Sequence, residues 1–447
     1  MTVFRFSLSL ASVCTVLLAS SFTWATAEPT PLAACHVPVA TPLSLETALR
    51  LALENNPELR AARGRGDAAS GRATQAKAWT NPELEIVADD WPLRGSRGFS
   101  DAKRTIGISQ TVPFRGKKSL DERMGGMGVK RSAAEFALRR SQLIQEVKAD
   151  FFRVLALEKM ATIFSQRIAA TESGATTTRK RVEAGASAYQ EQLRAEVQLE
   201  QARTEWSDCE NELTAARQNL ATQLGRTDLN ETKLIGTLAE TPDNNLMSGT
   251  ADERLARHPS LNAVQTNLDH AELGRRRARL EPYPDVKIGV AAGQIGETGQ
   301  SIGQLSLSLP LPILDQNKGA RQEARANVNI ASAELHAVRL QLQRDWANTV
   351  QRYRTVSGQV IKYREHILPK AEEALLLVQT GFEQGKLPLI DLIDTQRTTS
   401  EVQLAYWKKL LEMNITQAEL ESLVTMSGPP DNDNNQAAPR PITSTHP

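Results

Sequence analysis

Over most of this chain the hydrophobic positions recur every three or four residues, and the period shortens to two in only four short stretches. A first helix is predicted from about 43–46 to Trp79, with Ser44 as its cap ahead of a Leu45, Leu49, Leu53 stripe. Two strands follow at 83–88 and 105–112, and a second pair at 285–290 and 304–309, each pair joined by a Gly-rich loop. Ile106 and Ile108 alternate with Gly107 and Ser109, and Leu305, Leu307 and Leu309 with Ser306 and Ser308. Each strand therefore has an apolar face and a small or polar one. Long helices are predicted after the hairpins, at 117–182 and 317–382, each of about 100 Å at the α-helical rise. Leu143, Val147, Phe151 and Val154 draw one stripe on the first; Leu335, Val338, Leu342, Trp346 and Val350 draw one on the second. Such spacing suits a coiled-coil partner, and Pro369 is expected to kink its helix or to sit on a solvated face. Gly185 and Gly385 end the long helices, and return helices follow at 189–224 and 389–424.

The elements are written twice. Leu53-Glu54-Asn55-Asn56-Pro57-Glu58-Leu59 returns as Leu255-Ala256-Arg257-His258-Pro259-Ser260-Leu261. At the same displacement Asn81-Pro82-Glu83-Leu84-Glu85-Ile86 returns as Tyr283-Pro284-Asp285-Val286-Lys287-Ile288, and Val182-Glu183-Ala184-Gly185 later returns as Phe382-Glu383-Gln384-Gly385. Landmarks that keep order and spacing indicate a duplication. The organisation read from it is a first repeat at 43–227, an equatorial linker at 228–250, a second repeat at 251–427 and a disordered tail at 428–447.

Composition narrows the function. The 447 residues are 40% hydrophobic and 23% charged, which is normal for a folded chain. A net charge of +1 argues against a nucleic-acid binder. Beyond the N-terminus no apolar run is long enough for a membrane helix, a test that a β-barrel escapes. Residues 1–27 read as a secretory signal peptide: Arg5, an apolar run from Phe6 to Phe22, then Ala25-Thr26-Ala27. Cys14 leaves with it, so the exported chain keeps Cys35 and Cys209. Leu32-Ala33-Ala34-Cys35 matches a lipidation box, although Glu28, Pro29 and Pro31 part it from the apolar run; a free thiol or a disulfide to Cys209 is the alternative. No metal-ligand spacing, nucleophile elbow or phosphate loop is present in the sequence, so no cofactor, metal site or enzymatic activity is expected.

Four strands cannot close a barrel, and an open sheet edge is not tolerated in hydrocarbon. Completion by further copies is therefore expected, and three copies would supply twelve strands. A periplasmic coiled-coil adaptor or scaffold is the rival reading, but adaptors carry one helical hairpin with flanking β domains rather than two full repeats.

This order of elements over about 43–427 resembles the TolC family of outer-membrane efflux channels. The resemblance rests on Leu45-x-x-Ala48-Leu49 with Asn56-Pro57-x-Leu59, the junction Val112-Pro113-Phe114-Arg115-Gly116-Lys117, its counterpart Leu309-Pro310-Leu311-Pro312-Ile313-Leu314-Asp315, and the two glycine turns. Arg115-Gly116-Lys117-Lys118 leans toward the heavy-metal, CzcC-like branch. The resemblance implies a mostly α protomer with a small β part. It further implies a homotrimer with a 12-stranded transmembrane β-barrel and a helical periplasmic tunnel, in the outer membrane of a Gram-negative bacterium. It implies an exit duct for an inner-membrane transporter of the resistance-nodulation-division class, reached through a periplasmic adaptor, with type I secretion as the alternative.

The resemblance also assigns residues. Asp391 and Asp394 fall where the family rings its periplasmic gate with acids, and they share one helix face near an N-terminus. Glu191 and Arg194 are their counterparts in the first repeat and are candidates for a latch; the family's Tyr and Arg at the second turn are Phe382 and Leu387 here. Gly185 and Gly385 mark the tips where an adaptor would dock. Arg115, Lys117 and Lys118, with Lys318 and Arg321, are expected to meet lipid head groups at the barrel rim, as is the run Arg275-Arg276-Arg277-Ala278-Arg279. Trp79 and Trp91 are candidate interfacial anchors.

Overall fold

Asn56 shows how the local chemistry sets the elements. The following proline disfavours helical geometry at this residue, and it takes φ −59°, ψ 124°. Its Oδ1 then accepts from the backbone N–H groups of Glu58 (3.0 Å) and Leu59 (3.1 Å), capping a new helix with Pro57 at its first turn. The single helix expected up to Trp79 is consequently two, α1 (Leu45–Asn55) and α2 (Pro57–Lys77). In the second repeat the same break separates α5 (Ala251–Leu255) from α6 (Pro259–Leu280), with His258 Nδ1 accepting from the Ser260 N–H at 3.2 Å.

The computed structural model describes residues 42–90, 98–227, 229, 232–247, 250–384 and 386–424. The signal peptide, Cys35, Trp91, Gly385 and the tail lie outside them. A short strand, β1 (Leu43–Ser44), precedes α1, and between the two broken helices run β2 (Glu83–Asp89), β3 (Lys103–Val112), α3 (Lys117–Glu183), α4 (Tyr189–Gln223) and β4 (Leu234–Ile235). After α6 come β5 (Val286–Ile295), β6 (Ser301–Ser308), α7 (Lys318–Lys362), α8 (Leu368–Glu383) and α9 (Leu389–Val424). The protomer is thus mostly helical with a small sheet part.

The second long helix is not continuous α-helix. Five residues, Tyr363–Ile367, form a π-helical turn between α7 and α8. Pro369 has no N–H and its ring would clash with the carbonyl four residues earlier; a widened turn relieves both.

Helix α3 packs on α2 and α6 toward the sheet, and on α4 and α9 toward the glycine turns, while α7 packs on α6 and α9. The lateral order is α2, α3, α6, α7 at one level and α4, α3, α9, α7 with α8 at the other. Between these levels sits the core: Leu143, Val147, Phe151 and Val154 of α3, Leu220 of α4, Trp346, Tyr353 and Val360 of α7, Leu410, Met413 and Leu420 of α9.

The inter-repeat linker belongs to that core. Leu229, Leu234 and Leu238 are buried, and β4 pairs in parallel with β1. Asn414 accepts from the Ala239 N–H (2.9 Å) and donates to the Ala239 carbonyl (3.0 Å), and the Tyr353 hydroxyl accepts from the Asp243 N–H (2.9 Å). Cys209 is buried between α3 and α4, its thiol 3.9 Å from the Leu157 carbonyl, and burial raises its pKa, keeping it an unreactive thiol.

Candidate functional site

Three places carry the expected chemistry: the sheet, the strand-to-helix junction and the glycine turns. The four-stranded sheet is antiparallel throughout, in the order β2, β3, β5, β6, so its two outer strands are unpaired. Register sets Leu84, Ile108, Val290 and Leu305 in one row and Ile86, Ile106 and Ala292 in another. These rows share one face, and Ile86 (75%) and Leu305 (78%) are among its exposed members. No helix covers it among the described residues.

The opposite face holds Glu83, Glu85, Ser109, Gly107, Gly289, Ala291, Lys287 and Ser306. The sheet curls toward it: a Cβ on Gly107 would lie 2.5 Å from the Cβ of its register partner Ala291, where opposed residues normally stand about 4.5–5.5 Å apart. Only small side chains fit the centre of this concave surface. From repeat two, the Lys287 ammonium crosses β3 to reach Glu83 (2.8 Å) and Glu85 (2.7 Å) on β2, and the Ser109 hydroxyl donates to Glu85 at 3.0 Å. Sequence reading missed this triad, although the repeat alignment sets Glu85 against Lys287 as oppositely charged counterparts.

At the junction the basic residues divide. Lys117 is buried, its ammonium 2.9 Å from Asp285, whose same oxygen accepts from the Phe114 N–H at 2.8 Å. Phe114 in turn stacks on Tyr283 with ring centroids 4.7 Å apart, so hairpin one is clasped to hairpin two. Lys118 donates to the carbonyls of Ala76 and Ala78 at the end of α2, where a cation is favoured. These two charges are committed inside the protomer. Arg115 and Lys318 are exposed, and Arg321 is half-buried and donates to the Gln316 carbonyl at 3.4 Å. Within the run at 275–279, Arg277 binds Asp121 of α3 at 2.8 Å and also Glu281, while Arg276 pairs with Glu272 at 3.7 Å. Trp79 is 61% exposed beside the foot of β2.

At the far end, Gly185 takes φ 68°, and the Ala186 N–H bonds to the Arg181 carbonyl at 2.7 Å, closing α3 in a left-handed turn. In the second turn the Lys386 N–H bonds to the Gly381 carbonyl at 2.8 Å, and the Leu387 side chain lies against Gly381. Asp391 and Asp394 are exposed on one face of α9, while Leu392 and Ile393 are buried on the other, Ile393 against Gly174 of α3. Asp394 pairs with Arg397 at 2.8 Å. Glu191 and Arg194 are exposed on α4; the ion pair formed beside them is Arg179 to Glu196 at 3.2 Å. Gly185 and the exposed charges are thus gathered at one end, with the sheet at the other end of α3.

Comparison with known proteins agrees with this geometry. The chain is 29% identical over 374 residues to the cobalt-zinc-cadmium resistance protein CzcC of Cupriavidus metallidurans, covering 82% of this chain and 86% of that one. Its fold superposes on the CmeC outer membrane channel of Campylobacter jejuni with a TM-score of 0.75 at 14% identity, covering 85% of each chain. It superposes on the outer membrane protein VceC of Vibrio cholerae with a TM-score of 0.70 at 17% identity, covering 85% of this chain and 95% of that one. Residues 48–226 and 250–425, one segment in each repeat, match the family described as outer membrane efflux protein. The resemblance to TolC-type channels therefore holds: this chain belongs to the outer membrane efflux protein family, channel proteins of the Gram-negative outer membrane.

Proposed function

We propose that three copies of this chain close head to tail into one tube, a 12-stranded barrel in the outer membrane continued by a helical tunnel in the periplasm. The observation that carries the reading is that sheet and helical layer are open at corresponding edges. Repeat one ends the sheet with β2 and the helical layer with α2 and α4; repeat two ends them with β6 and with α7 and α8. A heterologous contact between the two kinds of edge closes both layers with one rotation. Exposed apolar residues line the helical edges: Tyr189, Leu193 and Val197 at four-residue spacing on α4, and Leu376 and Leu377 on α8. Closure also sets the apolar convex face of the sheet toward lipid and the polar concave face toward a lumen.

In this reading the tube is the passive exit duct of a tripartite efflux assembly. A periplasmic adaptor docks at the glycine turns, and a transporter of the resistance-nodulation-division class supplies the energy. Likeness to a metal resistance protein supports heavy-metal cations as cargo. Asp391 and Asp394 gather at the periplasmic aperture and give it cation preference. Arg115 and Lys318, whose charges are free of the junction clasp, meet lipid head groups.

The test is reconstitution. Protein extracted from outer membranes should run as a trimer that dissociates on heating and should form cation-preferring channels in planar bilayers. Asp391→Ala with Asp394→Ala should lower that preference; unchanged selectivity would remove these residues from the pore. A protein released from membranes by high salt would overturn the barrel.

A further inference from the structure

The concave triad has an arrangement that the duct reading does not require. Two carboxylates, Glu83 and Glu85, converge on one point from the same face of β2, and that point is filled by the Lys287 ammonium from two strands away. The span is open because β3 presents only Gly107, Ser109 and Thr111 beneath it, and Ser109 fixes Glu85 by donating to it. The triad is partly solvent-exposed, so it faces the space that the sheet curls around. Two carboxylates that both reach one ammonium would, without the lysine, offer oxygen donors of the type a divalent cation takes.

We propose that Lys287 is a specificity-determining residue of the channel: its ammonium holds the cation position between Glu83 and Glu85, so that divalent metal ions pass this level of the lumen without lodging there. The proposal rests on the barrel reading for the statement that the concave face is the lumen. A conducting pore must attract its ion yet bind it weakly enough to release it. With Lys287 in place each triad has one excess negative charge, which favours cations, and no vacant pair of carboxylates. The duplication supplies the means: the position that is Glu85 in repeat one is Lys287 in repeat two, and the two copies neutralise one another across β3.

The experiment compares the wild type with Lys287→Gln, and with Lys287→Gln combined with Glu83→Gln and Glu85→Gln, using zinc chloride as the probe. Planar-bilayer conductance is read as zinc is raised on the side of the barrel, and zinc bound per chain is measured in detergent by equilibrium dialysis. Lys287→Gln should be half-blocked at about tenfold lower zinc than the wild type, the effect of removing one nearby positive charge in solvent. It should also bind about one more zinc per chain. The triple variant should return to the wild type on both measures, and Lys287→Arg should match the wild type. Equal half-blocking concentrations and equal zinc stoichiometry in the wild type and Lys287→Gln would overturn the proposal, as would a triple variant that still behaves like Lys287→Gln. A wild type that forms no channel would instead overturn the duct reading, and dialysis alone would then decide whether Lys287 guards the carboxylates.

Discussion

Asn414 offers the sharpest test of how the two repeats are held together. Its side chain is 3% exposed and makes three hydrogen bonds: it accepts from the Ala239 N–H and donates to the carbonyls of Ala239 and Leu410. Two of these are the backbone groups of a single linker residue, so Asn414 acts toward the linker as a strand would. Asn414→Leu keeps the volume and removes all three bonds. A buried backbone group left without a partner costs about 1–3 kcal/mol, so two would cost about 2–6 kcal/mol. Ala239 itself is exposed, however, and water can replace part of what is lost. The expected cost is therefore about 1–3 kcal/mol, borne by linker docking rather than by the whole fold. At a factor of ten for each 1.4 kcal/mol, local opening should rise about 5- to 150-fold.

Limited proteolysis reads that opening directly. Under conditions where reclosing outruns cleavage, the rate of cutting follows the open population. Trypsin at Lys233, or a glutamate-specific protease at Glu240, should cut Asn414→Leu at least about fivefold faster than the wild type, with cleavage elsewhere unchanged. Tyr353→Phe, which takes the hydroxyl from the Asp243 N–H, should act in the same direction. A change below about twofold in both variants would refute the claim that these side chains dock the linker.

Other consequences follow from the junction, the caps and the sheet. Lys117→Met should lower resistance to heat dissociation by the equivalent of about 1–3 kcal/mol, less than for a fully buried pair because Asp285 is partly exposed; adding Asp285→Asn should recover part of the loss in a double-mutant cycle. His258 caps α6 through an unprotonated Nδ1, and burial lowers its pKa below the ordinary 6.5. The unfolded chain therefore takes up this proton first as pH falls. The contribution is complete above about pH 6.5 and declines as pH drops toward the folded value, by at most about 1.4 kcal/mol per pH unit. His258→Asn retains an acceptor at the cap, so the loss of heat stability between pH 7.5 and 5.5 should be smaller in this variant; equal losses would sink the assignment. Leu305→Lys, on the convex face, should reduce recovery in outer membranes, at a cost of about 2–4 kcal/mol near mid-membrane, whereas Ser306→Lys on the concave face should be tolerated.

Periodicity made the long elements legible. The stripes at Leu143, Val147, Phe151 and Val154 and at Leu342, Trp346 and Val350 are buried, because a helix of this length must bury one face to be stable. Alternation found all four strands, yet β5 runs on to Ile295, through Ala291, Ala292 and Gly293, whose small side chains carry little hydropathy signal. The π turn before Pro369 and the break at Asn56 arise from proline geometry, which marks a fault without fixing its form. Charge partners were the least legible. Lys117 and Lys118 stand beside Arg115 in the sequence and look alike, but helical phase turns Lys117 onto Asp285 and Lys118 onto the end of α2, while Arg115 stays outside. Contacts across the repeats, such as Lys287 with Glu85, depend on strand order and curl, neither of which periodicity encodes.

The repeat alignment explains why those cross-repeat contacts matter. In the proposed ring, repeats one and two alternate, so each repeat has a neighbour of the other kind on both sides: one within its own chain and one in the next. Identical repeats would make these two seams equivalent, and a ring of pseudo-symmetric units could then close with an arbitrary number of them. Divergence at matched positions removes the equivalence. Glu83 became free to bind Lys287, its counterpart Asp285 took Lys117, and Glu85 and Lys287 became partners of opposite sign. Each of these bonds lies on the seam inside the protomer, where β3 pairs with β5. In that ring the seam between protomers would include the exposed apolar residues at the helical edges and backbone pairing of β6 with β2. In the proposed ring the inner seam thereby carries, on top of its apolar core, ion pairs between residues that differ in the two repeats, and this bias makes the repeats associate in whole protomers so that the closed ring contains complete pairs.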